Sequence, residues 1–224
     1  MIAIVDYGSG NVRSVQRAVH AALQVLGQYE NEVQRVCSPD LLLQAERVIF
    51  PGQGSMNDCM ASLESSGLKQ ALLECIETKP FLGICVGEQM LFDRSEEKST
   101  QGLSVLPGEV VRFHANRGVR DAMGEPLKVP HMGWNQVRFL RHHPVTHGLS
   151  GTQASSADDS AWFYFVHSYH AEPSNSADCL GEANYGIPFT CAVARDNIVA
   201  TQFHPEKSAL VGLQFLKQFI QWKP

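Results

Sequence analysis

The stretch Pro80-Phe81-Leu82-Gly83-Ile84-Cys85-Val86-Gly87-Glu88-Gln89-Met90 decides how the rest of the chain is read. An apolar run at 80–84 has strand character, and residues 87–92 can begin a helix. A strand that turns directly into a helix is half of a β-α-β unit. Gly83-x-Cys85-x-Gly87 sits at the turn and is the cysteine version of the G-x-S-x-G elbow. A nucleophile on so sharp a turn needs residues without bulk two positions before and after it. The following helix start favours a thiolate and offers free backbone N–H groups, which makes the N–H of Val86 a candidate oxyanion donor. A buried structural cysteine between two turn glycines gives the same letters, so the motif needs a base before it means catalysis.

Working outward, the first half alternates strands and helices. Residues 2–6, 32–36 and 47–50 read as short apolar strands, the third ended by Pro51. Val12, Val15, Val19, Ala22, Leu23 and Leu26 recur at helical spacing, and Gly27 stands where a helix end takes a left-handed residue. Residues 56–65 and 68–77 read as helices. Repeated β-α-β with short connections implies an α/β fold of three layers, a central mostly parallel sheet with helices on both faces. The second half adds an antiparallel portion, with strand-like runs at 110–113, 134–139, 162–166, 180–183, 189–194 and 198–203. Asp196-Asn197 reads as a two-residue hairpin turn. Residues 209–222 read as an amphipathic closing helix, and the polar stretch 150–160 as a loop.

The 224 residues, 44% apolar and 18% charged, suit a single domain spanning 1–224. Eighteen basic against twenty-three acidic residues argue against nucleic-acid binding by bulk charge. No run approaches the ~20 apolar residues of a membrane span, and the first residues lack a signal-peptide pattern. The expectation is a cytoplasmic protein with no membrane association, whose six cysteines are thiols. No C-x-x-C pair marks zinc. Pro144 interrupts the cluster His142, His143, His147, which reads as solvated histidines, so no metal is expected.

A base for Cys85 should stand at the end of a neighbouring strand. His204 does so within Gln202-Phe203-His204-Pro205-Glu206-Lys207-Ser208, where catalytic groups of an α/β sheet collect. Glu206 can bend back past Pro205 and accept from the imidazole, fixing its tautomer. Asp6-Tyr7-Gly8-Ser9-Gly10-Asn11 follows the first strand, but a dinucleotide fingerprint starting at Gly8 would need glycine where Arg13 stands. No cofactor is expected, and the segment reads as a turn relieved by two glycines. Pro51-Gly52-Gln53-Gly54 follows the third strand, where glycines let backbone approach a ligand closely. His167 reads as a satisfied structural histidine. Trp134 reads either as core or as an exposed anchor at a subunit interface.

Gly-Ile-Cys-x-Gly-x-Gln together with Gln-x-His-Pro-Glu-x-Ser resembles the class I, triad-type glutamine amidotransferases, and the resemblance covers nearly the whole chain. It implies a flavodoxin-like fold and a glutaminase whose Cys85 forms a glutamyl thioester, whose His204 moves protons and whose Glu206 orients His204. It assigns Gln89 to the L-glutamine site, with Gly54, Ser168 and Tyr169 as further substrate contacts. It places a second oxyanion donor in Gly52–Gly54, at the N–H of Gln53, beside that of Val86. The relatives carry apolar residues where this chain has Gln53 and Glu88.

Three segments narrow the resemblance: residues 6–15, Pro130-His131-Met132-Gly133-Trp134-Asn135, and Tyr164-Phe165-Val166-His167-Ser168-Tyr169. They resemble members that work as a heterodimer with a (β/α)8-barrel cyclase subunit, with Asn11 and Trp134 at the partner interface. The pattern occupies nearly all 224 residues and leaves nothing to bind an ammonia acceptor, so a partner is expected on chemical grounds. Three other readings stand beside this one. They are a glutaminase serving another synthase, such as one for surface sugars, a non-catalytic glutamine-binding subunit, and a peptidase or hydrolase of the same elbow.

Overall fold

The computed structural model describes residues 1–28, 32–114, 116, 118–149 and 160–224. Residues 150–159 of the polar stretch lie outside them. The first half runs β1 (Ile2–Val5), α1 (Val12–Val25), β2 (Val33–Val36), α2 (Pro39–Leu43), β3 (Arg47–Gly52), α3 (Met56–Ser66), α4 (Lys69–Thr78) and β4 (Phe81–Cys85). A one-turn helix, α5 (Val86–Gln89), follows at once. Then come β5 (Phe92–Ser95), β6 (Thr100–Gln101), β7 (Leu106–Arg112), β8 (His131–Phe139), β9 (Ser160–His167) and β10 (Tyr169–Pro173). The chain closes with β11 (Cys179–Tyr185), β12 (Ile187–Arg195), β13 (Ile198–Thr201) and α6 (Ala209–Gln221).

Strands β2-β1-β3-β4-β13 lie side by side and all neighbours are parallel. This is the doubly wound order in which ligands bind beyond the carboxyl ends of the strands. Ala3, Ile4 and Val5 in β1 and Val48, Ile49 and Phe50 in β3 are fully buried in succession. Consecutive burial means both faces of the sheet are covered. Right-handed crossovers put α1 and α6, which pack on each other, on one face, and α2, α3 and α4 on the other. Beyond β13 the sheet turns antiparallel through β12, which leads on one side to β11, β8 and β9 and on the other to β10. Phe163 of β9 stacks on Phe203 at 3.9 Å, and Phe203 meets Phe215 of α6 at 5.8 Å, so both halves share one core. Among the described residues no helix is long and apolar enough to cross a membrane.

Two expected boundaries near the elbow move for reasons visible in the backbone hydrogen bonds. β3 does not end at Pro51 but continues to Gly52, which pairs with Cys85. Val48 N donates to Pro80 O, so by alternation the nitrogen of Pro51 faces β1, whose ladder has already stopped at Ile4↔Ile49. No ladder bond is lost there. The helix expected over 87–92 stops after one turn. The carbonyls of Met90, Leu91 and Phe92 accept from the N–H groups of residues 103–106 instead of from a next helical turn. β5, β6, β10 and α2 were not expected. β10 carries Glu172 and Pro173 and is a strand because it pairs with β7 along its length.

The elbow region has little spare volume. A Cβ on Gly87 would fall 2.0 Å from Phe50 O, whereas one on Gly67, the left-handed cap of α3 at φ 73°, would meet nothing within 4 Å. Gly87→Ala is expected to destabilise the protein by about 3 kcal/mol and Gly67→Ala by about 1 kcal/mol. Denaturant unfolding of the two variants checks the order.

Candidate active site

Cys85 ends β4 and opens α5 with φ 57° and ψ −113°, a conformation most side chains avoid. Three missing Cβ atoms allow it. On Gly83 a Cβ would lie 2.9 Å from Ala200 Cβ, and on Gly87 it would strike Phe50 O. On Gly52 it would lie 2.7 Å from Gly87 N and Val86 Cβ. The last contact lays the 52–54 backbone beside the start of α5. Because α5 has only four residues, any help to a thiolate comes from its local N–H groups rather than from a long helix dipole.

His204 follows β13. Its N–H donates to Tyr164 O at 2.9 Å, and its carbonyl accepts from Ser208 Oγ at 2.6 Å. Ser208 Oγ also accepts from Tyr164 N at 3.0 Å, so the serine ties the loop to β9. His204 Nδ1 meets Glu206 Oε1 at 2.8 Å, and the two side chains are 3% and 1% exposed. Nε2 is buried and without a hydrogen-bond partner among the described residues. Burial disfavours the imidazolium, but the charges of Cys85 and Glu206 outweigh it and raise His204 from 6.5 to about 10.

A cavity of about 310 Å³ is lined by Gln53, Gly54, Cys85, Val86, Gln89, Ser168, Tyr169 and His204. That is at the small end of the roughly 300–1,000 Å³ of small-molecule sites. Gly52 lies buried behind it, against the elbow. Asn11 and Trp134 lie outside it. Asn11 precedes α1 and its carbonyl accepts from Val15 N, while Trp134 stands on β8, 49% exposed, edge-on to Tyr164. A larger open depression of about 590 Å³ lies at the amino ends of the strands, by Met1 and Arg47, far from Cys85.

Several residues at the site carried no expected role. Tyr7 Oη donates to Pro51 O at 3.0 Å. Burial pushes this phenol up, and it remains a donor. Ser9 Oγ and Cys59 Sγ both reach Gln53 O, each at 3.3 Å. The Tyr7-Gly8-Ser9-Gly10 turn thus anchors the 51–54 segment, and a Cβ on Gly10 would fall 3.1 Å from Pro51 O. Gln202 Nε2 donates to Cys85 Sγ at 3.7 Å. Its signals in the sequence are its place at the head of the Gln-x-His-Pro-Glu motif and an amide inside an apolar strand run. Glu88 is fully buried and has no hydrogen-bond partner among the described residues, and burial raises its carboxyl well above the usual range. His143 is not solvated as expected. It is buried edge-on to Trp222, its Nδ1 accepts from Val145 N to cap the turn begun by Pro144, and burial lowers it to about 4.

The family model for Glutamine amidotransferase class-I matches residues 3–222. The chain belongs to the class I glutamine amidotransferases. This amidotransferase is 50% identical over 223 residues to the imidazole glycerol phosphate synthase subunit HisH of Dechloromonas aromatica, covering 100% of this chain and 97% of the relative. It is 48% identical over 220 residues to the HisH subunit of Neisseria gonorrhoeae, covering 98% and 99%. Two solved structures share the amidotransferase's fold. One is a glutamine amidotransferase with a TM-score of 0.66 at 17% identity, covering 98% of this chain and 97% of that one. The other is the acivicin-bound glutaminase domain of Trypanosoma brucei CTPS, with a TM-score of 0.61 at 16% identity, covering 100% and 94%.

The folded value of His204 lies above its ordinary 6.5, so the stabilisation it brings is full below about 6.5 and is lost as pH rises through about 10. Glu206→Gln removes one cause of the rise. The NMR titration midpoint of His204 is expected to move down, and stability is expected to fall less between pH 6.5 and 10 than in the parent protein.

Proposed function

We infer that this chain is the glutaminase subunit of an imidazole glycerol phosphate synthase. The observation that carries the chemistry is a strained cysteine beside a buried His204–Glu206 pair on an amino-acid-sized cavity. Likeness to HisH subunits along the whole chain supports this particular synthase.

The Cys85 thiolate attacks the carboxamide carbon of L-glutamine. The N–H groups of Val86 and Gln53, the latter carried on the Gly52–Gly54 backbone, take the oxyanion charge. His204, held as the imidazolium, protonates the leaving nitrogen, and ammonia departs as the thioester forms. The neutral ring then takes a proton from water, which cleaves the thioester to glutamate. Glu206 keeps the His204 tautomer fixed through both steps. Gln89, Gly54, Ser168 and Tyr169 bound the glutamine.

Residues 1–224 act as one amidotransferase domain in the cytoplasm. Ammonia released into water would be protonated, so the domain delivers it to a (β/α)8-barrel cyclase subunit as a heterodimer. The cyclase uses it to form imidazole glycerol phosphate and aminoimidazole carboxamide ribotide in histidine biosynthesis. The outer face of β8 and β9 suits the partner, with Met132, Trp134 and Trp162 respectively 62%, 49% and 56% exposed next to the cavity mouth at Pro130 and Val166. Asn11 extends that interface, and the cyclase's nucleotide ligand activates the glutaminase across it.

The test is co-purification with the cyclase, then assay with glutamine and with ammonia. Cys85→Ala is expected to cut glutamine-dependent turnover by about 10⁴-fold or more and to spare ammonia-dependent turnover. Retained glutamine hydrolysis by the folded variant overturns the reading. Trp134→Ala is expected to weaken the heterodimer by about 2 kcal/mol, roughly 30-fold in Kd, by titration calorimetry.

A further inference from the structure

Tyr169 O, on the cavity wall, accepts from two sides: from Gln89 Nε2 at 3.2 Å and from His167 Nδ1 at 2.8 Å. These contacts belong to a longer chain with a single direction. A carbonyl only accepts, so His167 carries its proton on Nδ1 and, as a neutral ring, leaves Nε2 as an acceptor. His131 Nδ1 lies 2.9 Å from that nitrogen and must donate to it. His131 Nε2 then accepts from Asn135 Nδ2 at 3.3 Å, and the same amide donates to Asn184 O at 2.8 Å. Every proton is placed without a charged ring. Burial agrees, since it lowers His131 to about 4 and holds His167 well below its ordinary value.

On the other side of Tyr169 the direction is also fixed. Gln89 Nε2 donates to Gln202 Oε1 at 2.8 Å, which turns the Gln202 amide nitrogen toward Cys85 Sγ. The flipped amide would set two NH₂ groups against each other and aim an oxygen at the sulfur. Gln202 is itself fully buried, so it has no water to turn to.

We propose that Gln202 is a further residue of the reacting centre, a fixed donor to the Cys85 thiolate, and that the neutral His131–His167 pair positions it through Tyr169 O and Gln89. The proposal rests on Cys85 being the nucleophile of the glutaminase. A preset donor raises the thiolate fraction and holds the sulfur toward the cavity. The chain ends on β8, the strand whose opposite face carries Met132 and Trp134.

Four variants test it in the full chain. Gln202→Glu keeps the acceptor for Gln89 but replaces the donor, and Gln202→Met removes both. His131→Phe breaks the chain at its far end, and His131→Gln restores an N–H donor. The first readout is the rate of Cys85 alkylation by iodoacetamide at neutral pH, followed by peptide mass spectrometry because the exposed Cys37 reacts as well. Both Gln202 variants are expected to slow it by about tenfold or more, the worth of a charge-assisted hydrogen bond. His131→Phe is expected to slow it by about threefold and His131→Gln to recover most of that. In the heterodimer, kcat for glutamine is expected to fall in parallel, with KM within about twofold. Alkylation and kcat within about twofold of the parent in a folded Gln202→Glu or Gln202→Met overturn the proposal, because a merely structural amide would lower thermal stability alone. Alkylation uses no glutamine, so it reports on the sulfur contact even if Cys85→Ala has sunk the glutaminase reading.

Discussion

The left-handed turn at Cys85 is the constraint on which the site depends. Such a residue costs about 1–3 kcal/mol and persists only where its surroundings over-determine it. Here they do so from three sides. Gly52 of β3 is paired with Cys85, Gly83 lies against Ala200 of β13, and Gly87 presses on Phe50 O. The same contacts bring three strand ends together. β3 delivers the Gly52–Gly54 backbone, β4 the sulfur and β13 the Gln202–Glu206 segment. The strain is offset by a sheet whose central residues are fully buried on both faces.

Histidines near the site are held in opposite states by their partners. His204 has a buried carboxylate on Nδ1 and a sulfur nearby, and it is held protonated up to about pH 10. His167 has a carbonyl on Nδ1 and another imidazole on Nε2, so its burial is uncompensated and it stays neutral. One ring is thereby suited to give and take protons and the other to hold geometry. Glu88 follows the same rule: it has no hydrogen-bond partner among the described residues, and burial raises its carboxyl well above the usual range.

The exposed apolar surface and the buried hydrogen-bonded chain share one element. β8 turns His131 and Asn135 inward to the hydrogen-bonded chain and Met132 and Trp134 outward. Strand alternation does this without further design. An apolar face beside the cavity mouth suits a chemistry whose product must not meet water.

The sequence by itself determined the parallel half of the sheet and the positions of Cys85, His204 and Glu206. Those signals are local: apolar runs punctuated by Gly and Pro, a five-residue elbow, and a strand end two residues from a carboxylate. The family resemblance added Gln53, Gly54, Gln89, Ser168 and Tyr169, which the fold gathers around one cavity. Only the tertiary structure decided that β3 runs through Pro51, that α5 lasts one turn and that residues 169–173 form a strand. Each depends on where a distant backbone places its donors and acceptors. The same holds for Tyr7 on Pro51, Ser208 on Tyr164, Gln202 on Cys85 and His131 on His167. These pairs lie 36 to 117 residues apart in sequence. Hydrogen bonds of that span have no period or motif, and they exist only once the sheet has set the distances.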